Sequence, residues 1–145
     1  MIIETHSADE TFEFGRKMGM EAKPGLVICL DGDLGTGKTV FTKGFGAGLG
    51  VSEPVVSPTF TVLQIYEEGR LPLYHFDVYR IDDPYEMEEI GYRDYFYGEG
   101  VTIIEWSELI EELIPADAVR ITISKDTSIS FDYRKITVLS GGETC

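Results

Sequence analysis

The sequence contains no asparagine, only two cysteines and one tryptophan, and far fewer basic than acidic residues. Without asparagine, the Asn-Lys-x-Asp motif by which GTPases recognise guanine cannot be present, and no Thr-Lys-x-Asp substitute is found. Cys29 falls in an apolar run and Cys145 is the last residue, which disfavours a disulfide between them. This use of cysteine is typical of a reduced, cytoplasmic protein.

The charge is strongly acidic, with 26 Asp and Glu against 12 Lys and Arg, for a formal net charge of −14. Stable binding to DNA or RNA needs a basic face that neutralises phosphates, and no basic cluster occurs here. We therefore expect no stable binding to nucleic acid by this chain alone. The charge serves either solubility or docking to a basic partner protein.

Long hydrophobic runs are also missing, because no stretch approaches the 18 apolar residues of a membrane span. The first residues, Met-Ile-Ile-Glu-Thr-His, lack the basic and apolar regions of a signal peptide. We expect a cytoplasmic protein with no membrane attachment. At 145 residues, with no linker or repeat, residues 1–145 are expected to form a single domain.

The most informative motif is Gly-Asp-Leu-Gly-Thr-Gly-Lys-Thr at residues 32–39, which matches the phosphate-binding P-loop. In this motif backbone N–H groups cradle phosphates, the lysine reaches the β- and γ-phosphates, and the last hydroxyl coordinates Mg²⁺. Those roles fall on Lys38 and Thr39. The residues expected to bind the nucleotide here are Asp33, Leu34, Gly35, Thr36, Gly37, Lys38, Thr39 and Val40. The predicted cofactors are ATP and Mg²⁺, and ATP is preferred over GTP.

The flanks of the motif have the context that it requires. Leu26–Leu30 is predicted to be a buried strand, and apolar residues at helical spacing follow the loop until Gly50. Further predicted elements are a first strand at 2–4, a helix over 8–21 capped by Ser7 and Glu10, paired strands over 60–66 and 71–80, a helix from Pro84 to about Tyr95, a strand over 101–104, a helix from Ser107 to about Leu113, and paired strands over 119–124 and 128–139. This order predicts an α/β, three-layer P-loop NTPase domain with a mixed parallel and antiparallel sheet flanked by helices.

Glu105 follows the apolar run Val101–Ile104 and is the first candidate outside the P-loop. P-loop nucleotidases place a carboxylate at the end of a second buried strand, where it holds Mg²⁺ or its water shell. Glu105 fits that role. The alternative is an acidic residue that stabilises the start of the Ser107 helix.

Alternation in the segment 74–80 places His75, Asp77 and Tyr79 on one face of a strand. Asp77 is a candidate for positioning the attacking water or for holding the metal through water. The alternative, equally supported by spacing alone, is a solvated edge strand.

Two further groups have open interpretations. Ser57 and Thr59 lie in a proline-containing loop and are either close to the γ-phosphate or part of an ordinary turn. The aromatic cluster Tyr92, Tyr95, Phe96 and Tyr97 is predicted to lie in the core, with a partner surface as the alternative.

Four motifs together resemble the bacterial TsaE (YjeE) family. They are Gly-Asp-Leu-Gly-Thr-Gly-Lys-Thr at 32–39, Ser-Pro-Thr-Phe at 57–60, His-Phe-Asp-Val-Tyr-Arg at 75–80 and Ile-Glu-Trp at 104–106. The resemblance extends over nearly the whole chain. It implies a small P-loop ATPase needed to make threonylcarbamoyladenosine next to the anticodon of tRNAs.

The resemblance also implies partners and site residues. The partners are the proteins TsaD and TsaB, and the ATPase is expected to reset their complex between cycles. Thr39 and Glu105 are implied as metal ligands, and Lys38, Asp77 and Glu105 as catalytic residues. Thr11, near the first helix start, and Arg134, in the last strand, are implied to approach the nucleotide.

Two other classes of function remain open from sequence. A nucleotide-dependent binding module would use ATP to control docking, with hydrolysis incidental. A small-molecule kinase would need a substrate pocket and an Arg-rich lid, and the sequence offers no room for that lid.

Overall fold

The computed structural model describes residues 1–32, 35–55 and 62–140. Its centre is a seven-stranded sheet in the order β1-β7-β6-β2-β5-β4-β3. The strands are β1 (Ile2–Thr5), β2 (Val27–Asp31), β3 (Leu63–Tyr66), β4 (Leu73–Asp77), β5 (Val101–Glu105), β6 (Val119–Lys125) and β7 (Arg134–Leu139).

The helices lie on both faces of this sheet. They are α1 (Ala8–Glu21), α2 (Lys38–Leu49), α3 (Glu86–Ile90), α4 (Tyr92–Phe96) and a 3₁₀ helix (Ser107–Leu113). Among the described residues, no helix has the length and apolar character needed to cross a membrane.

The sheet is mixed, as predicted. Its four central strands β6, β2, β5 and β4 run parallel, while β3 pairs antiparallel with β4, and β7 pairs antiparallel with both β6 and β1. Parallel strands end at the same edge of a sheet, so the last residues of β2, β5 and β4 lie together. These residues are Asp31, Glu105 and Asp77.

Two hydrophobic clusters cover the two faces of the sheet. One packs Phe41, Phe45 and Leu49 of α2 against inward-facing strand residues such as Ile28 and Ile103. The other lies on the opposite face and contains residues of β2, β5, α3, α4 and the 3₁₀ helix. The result is a three-layer α/β domain, which confirms the predicted fold class.

Helices α1 and α2 pack through their backbones. A Cβ atom added at Gly15 or Gly19 of α1 would overlap the carbonyl oxygen of Phe41 or Phe45 on α2. A Cβ at Gly44 or Gly48 of α2 would overlap the carbonyl oxygen of Phe12 or Arg16 on α1 in the same way. Two matched Gly-x-x-x-Gly pairs therefore allow a helix contact that no other residue type would permit.

Helix α1 begins and ends where the sequence predicts, and both ends are capped. At the N-terminus the Ser7 hydroxyl accepts from the Glu10 N–H at 3.1 Å, while Glu10 accepts from the His6 N–H. In the predicted capping box, the Glu10 carboxylate would have accepted from the N–H of Ser7, the N-cap residue. It accepts instead from the N–H of the preceding residue, His6. At the C-terminus the Arg70 guanidinium donates to the carbonyls of Gly19, Met20 and Ala22.

Several predicted elements differ in extent. The helix expected from Pro84 to Tyr95 begins at Glu86 and is split into α3 and α4, because Gly91 adopts a left-handed conformation with φ of 79°. The helix expected after Ser107 is a 3₁₀ helix with a non-helical residue at Ile110. The last strand begins at Arg134 and not at Ser128, since Asp126 forms a turn with the residues that follow it.

The two groups with open interpretations have different outcomes. Tyr92 and Phe96 are buried and Tyr95 packs against their cluster, whereas Tyr97 is exposed. The core prediction therefore holds for three of the four aromatic residues. Ser57 and Thr59 lie outside the described residues, as does Cys145, while Cys29 is buried in β2.

Candidate nucleotide-binding site

A cleft of about 1060 Å³ opens at the carboxyl ends of the parallel strands. It is lined by Ser7, Ala8, Thr11, Leu30, Asp31, Gly32, Gly35, Thr36, Gly37, Lys38, Thr39, Val40, Asp77, Glu105, Trp106, Glu108, Thr122, Ile123, Ser124, Asp132 and Arg134. Ligands of open α/β sheets bind at this edge, so the cleft lies where the fold predicts a ligand.

The P-loop connects β2 to α2 along this cleft. Gly37 is the N-cap of α2 and has a φ of 103°, a conformation that side chains with a Cβ atom rarely adopt. The free N–H groups of the first turn of α2 therefore open at the cleft, where an anion would be stabilised. Gly35 through Val40 line the cleft, whereas Asp33 and Leu34 lie outside the described residues.

Lys38, Glu105 and His75 form a continuous chain of polar contacts. The Nζ atom of Lys38 lies 3.7 Å from Oε1 of Glu105, and Nε2 of His75 lies 2.8 Å from Oε2 of the same carboxylate. All three side chains are largely or fully buried, with the Lys38 side chain 13% exposed. The carboxylate thus holds the P-loop cation with one oxygen and the imidazole with the other.

The position of His75 contradicts the interpretation of its segment as a solvated edge strand. Strand β4 is paired on both sides, with β3 and β5, and His75 is 1% exposed. The hypothesis of a solvated edge strand is therefore wrong. Within the described part of the chain, Nδ1 of His75 has no hydrogen-bond partner.

Two carboxyl groups close to the Lys38–Glu105–His75 contacts have raised pKa values. Burial is the main cause at Asp77, where Glu105 raises the pKa further and the hydrogen bond from the Tyr79 N–H lowers it. Burial also raises the pKa of Asp31, and the nearby charge of Glu108 adds to the effect. The cleft therefore resists additional negative charge unless cations accompany it.

Trp106 follows Glu105 and adopts a left-handed conformation with φ of 64°, the one positive φ found among the described non-glycine residues. Its ring centre lies 5.5 Å from Nζ of Lys38 and 4.8 Å from the centre of the Tyr79 ring. Trp106 is 39% exposed and Tyr79 is 62% exposed. Trp106, one ring of an exposed aromatic pair, thus contacts the P-loop lysine.

The opposite wall of the cleft contains Thr11 and Arg134. Thr11 is buried, and its hydroxyl lies 2.7 Å from that of Thr5. Arg134 donates from Nε to the Thr36 carbonyl at 2.8 Å and from Nη1 to the Phe131 and Tyr133 carbonyls. Arg134 therefore fastens the last strand to the P-loop while lining the cleft.

The oxygen donors in the cleft suit Mg²⁺. This ion prefers carboxylate and hydroxyl oxygens and commonly takes only one or two protein ligands, with phosphates and water completing its shell. Glu105 and Thr39 both line the cleft and provide such oxygens. The described residues contain no group of three or more acidic, histidine or cysteine side chains that could hold a metal without a nucleotide.

Comparison with known proteins identifies the family. The family model described as "Threonylcarbamoyl adenosine biosynthesis protein TsaE" matches residues 5–136. The chain belongs to the TsaE family. A Bacillus subtilis relative, named tRNA threonylcarbamoyladenosine biosynthesis protein TsaE, is 46% identical over 138 residues, which cover 95% of this chain and 84% of the relative.

Other members show the same relationship. The Treponema pallidum TsaE protein is 42% identical over 119 residues, covering 82% of this chain and 87% of the relative. Among solved structures, Bacillus subtilis YdiB superposes with a TM-score of 0.81 at 40% identity, covering 98% of this chain and 86% of YdiB. The TsaE family and the P-loop fold are therefore both shown for this chain.

Sequence reasoning missed two residues at or beside this site, His75 and Asp31, and one elsewhere in the fold, Arg70. His75 was noted only for its strand face, and its contact with Glu105 depends on β4 lying beside β5. Asp31 was not singled out, although a carboxylate directly before a P-loop was a visible signal. Arg70 acts across the fold on the end of α1, and no local pattern marks such a contact.

Proposed function

We propose that this chain binds ATP with Mg²⁺ at the P-loop cleft and hydrolyses it. The observation that carries the proposal is the 3.7 Å contact between Lys38, at the start of α2, and Glu105, at the end of the neighbouring parallel strand. This arrangement joins a phosphate-binding lysine to a carboxylate that is suited to Mg²⁺.

Each residue has a proposed role. Backbone N–H groups over residues 33–40 and the Lys38 ammonium hold the phosphates, and the Thr39 hydroxyl and Glu105 carboxylate hold Mg²⁺. Bound Mg²⁺ would neutralise phosphate charge. Asp77 positions the attacking water, and Thr11 and Arg134 contact the nucleotide from the other wall.

Hydrolysis by the isolated chain is proposed to be slow. The transition state of phosphoryl transfer spreads negative charge, and an arginine that meets this charge contributes a large factor in rate. Nε and Nη1 of Arg134, the arginine that lines the cleft, already donate to backbone carbonyls. A partner that supplies a cation or orders the site would therefore raise the rate.

The biological role proposed here follows from the family. The named relatives are tRNA threonylcarbamoyladenosine biosynthesis proteins, and we propose the same process for this chain, in the cytoplasm. TsaD and TsaB are the proposed partners, and hydrolysis is proposed to reset their complex between cycles. The net charge of −14 supports contact with proteins and not with tRNA directly.

The test is ATP hydrolysis by the purified chain, alone and with TsaD and TsaB, with Lys38→Ala as the control. The proposal expects slow hydrolysis alone, strong stimulation by the partners and loss of both in Lys38→Ala. If neither the chain nor the complex hydrolyses ATP above the Lys38→Ala background, the enzymatic proposal fails.

The exposed pair Tyr79 and Trp106 favours a second candidate, a nucleotide-dependent docking module. These rings lie at the surface, and Trp106 contacts Lys38. Binding of a phosphate to Lys38 would therefore change the contacts of an exposed aromatic surface. This candidate expects ATP-dependent binding to TsaD and TsaB in Glu105→Ala and Asp77→Ala even when hydrolysis is lost. For the same two variants, the reset mechanism also expects binding to TsaD and TsaB, but it expects the cycle to stop after binding because ATP is not hydrolysed.

A further inference from the structure

We propose that His75 is a positioning residue that orients the Glu105 carboxylate for Mg²⁺. The inference rests on the proposed function, because it concerns the carboxylate assigned there to the metal. It differs from the metal assignment itself, because His75 acts only through Glu105 and touches neither nucleotide nor metal.

The register of β4 and β5 brings the two side chains together. Asp77 lies opposite Glu105, and His75 lies opposite Ile103, two residues earlier on the same face of the sheet. The imidazole therefore reaches Glu105 along the diagonal, and Nε2 lies 2.8 Å from Oε2. The other oxygen, Oε1, is the one that lies near Lys38.

Hydrogen bonding determines which nitrogen of His75 carries the proton. Oε2 of an ionised carboxylate can only accept, so Nε2 must donate. In the neutral ring Nδ1 is then an acceptor, and within the described residues it has no partner. Within the described part of the chain, the one hydrogen bond of the ring is therefore the one to Oε2 of Glu105.

Stability alone does not explain a histidine at this position. The ring is 1% exposed, and among the residues that the structure describes Nδ1 is buried without a partner, which would lower stability relative to an apolar side chain. What the ring provides in return is a fixed orientation for Glu105, which is itself 6% exposed. Partners that orient metal ligands typically change metal affinity by about 10- to 100-fold when removed.

The experiment measures ADP binding by calorimetry, first in EDTA and then over a series of MgCl₂ concentrations. The variants are His75→Leu, which removes the donor at similar volume, and His75→Gln, whose amide nitrogen reaches the position of Nε2. His75→Asn is a second variant without a donor at that position, in case His75→Leu does not fold. Thermal melting of each variant reports stability separately.

The expected result is a weaker dependence of ADP binding on Mg²⁺. His75→Leu should lower the apparent affinity for Mg²⁺ by about 10-fold or more. ADP affinity in EDTA should stay close to that of the unmodified chain, and His75→Gln should restore most of the Mg²⁺ effect. In a Glu105→Gln background, His75→Leu should have no further effect, because its action passes through Glu105.

Other outcomes overturn the inference in distinguishable ways. If His75→Leu and His75→Gln lower only the melting temperature, His75 simply fills the core. If His75→Leu acts as strongly in the Glu105→Gln background, it does not work through that carboxylate. If Glu105→Gln itself leaves the Mg²⁺ dependence unchanged, the metal assignment fails and the inference fails with it. If ADP binding is absent or unaffected by Lys38→Ala, the proposed nucleotide site itself is wrong.

Discussion

The Lys38 ammonium and the Glu105 carboxylate form an ion pair inside the cleft, with Nζ 3.7 Å from Oε1. One residue starts the helix after β2, and the other ends β5, the strand that pairs in parallel with β2. Because the pair is largely buried, removal of one partner leaves the other as an uncompensated charge. Removal of either residue should therefore lower the stability of the fold. The two removals should nevertheless differ in their effects on nucleotide binding and hydrolysis.

Lys38→Ala should weaken nucleotide binding by about 10-fold or more, since this lysine is the cation proposed to hold the phosphates. The measurement is ATP binding in the presence of Mg²⁺, followed by the fluorescence of Trp106, the one tryptophan in the sequence. Lys43→Ala, which changes a lysine of the same helix that does not line the cleft, is the matched control. Equal binding by the Lys38 and Lys43 variants would contradict the assignment of the phosphate site.

Glu105→Gln and Asp77→Asn should lower the rate of ATP hydrolysis by about 10²-fold while nucleotide binding is largely kept. Both changes preserve side-chain shape and remove the charge, while one acceptor oxygen becomes an amide N–H₂. Single-turnover hydrolysis with the partners present is the measurement. Glu108→Gln, which changes another carboxyl group lining the cleft, is the control and should keep most of the rate. A rate loss limited to Glu108→Gln would reverse the assignment.

Asp31→Asn should make the protein more stable at neutral pH. Burial raises the pKa of Asp31 above its ordinary value of 3.8, so the ionised group destabilises the folded state. Below pH 3.8 both folded and unfolded forms hold the proton, and the variant and the original should be equally stable. As pH rises from there through the raised pKa, the original chain loses stability relative to the variant and then the difference becomes constant.

Urea unfolding at several pH values between 3 and 8 measures this difference. Asp132→Asn is the control, because Asp132 lines the same cleft but lies on an exposed turn. A stability difference between Asp31→Asn and the original chain that shrinks as pH rises would show that the sign is wrong.

Gly44→Ala should destabilise the fold by about 3 kcal/mol or more, because its Cβ would overlap the backbone of Phe12 and force α1 and α2 apart. Gly46→Ala in the same helix is the control. Its Cβ would meet side chains and not backbone, with a methyl of Val55 at 2.8 Å and ordinary contacts with Leu73 and Val51, and alanine favours the helix over glycine. We expect the Gly46 variant to lose less than half as much free energy of unfolding, measured in urea. Equal losses would mean that the backbone contact does not set the packing.

Arg70→Met should lower the free energy of unfolding by about 1–2 kcal/mol, because three carbonyls at the C-terminus of α1 lose their donor. Arg93→Met, which removes an exposed ion pair with Glu88 and a contact with Tyr92, is the control and should change the free energy of unfolding much less. Hydrogen exchange at the end of α1 should rise in the Arg70 variant only. Unchanged exchange there would mean that the guanidinium does not hold the helix end.

The sequence predicts the parts of this fold that local chemistry determines. Helix α1 follows from the Ser7 cap and its apolar spacing, and β2 and β5 follow from apolar runs too short for helices. The P-loop follows from its glycines, since few other local sequences leave so many N–H groups free.

What the sequence does not predict depends on which elements become neighbours. Alternation in 74–80 shows that His75 and Asp77 share a face, but strand order alone decides whether that face is exposed or buried. The helical pattern over 83–95 continues across Gly91, and only the observed left-handed conformation divides it. The contacts of Arg70 and Arg134 join segments far apart in the chain, so no spacing rule includes them.

The glycine contact between α1 and α2 fixes a dimension of the cleft. Thr11 lies in the first turn of α1 and Lys38 at the start of α2, and backbone touches backbone between these helices. At the four glycines no Cβ atom fits between the helices, so their separation there is set by main-chain contact. Substitutions elsewhere in the core can change volume and strain, but they leave the distance between α1 and α2 at these glycines unchanged. We therefore expect a ligand of different width to be accommodated mainly on the opposite side, by Trp106 and Asp77.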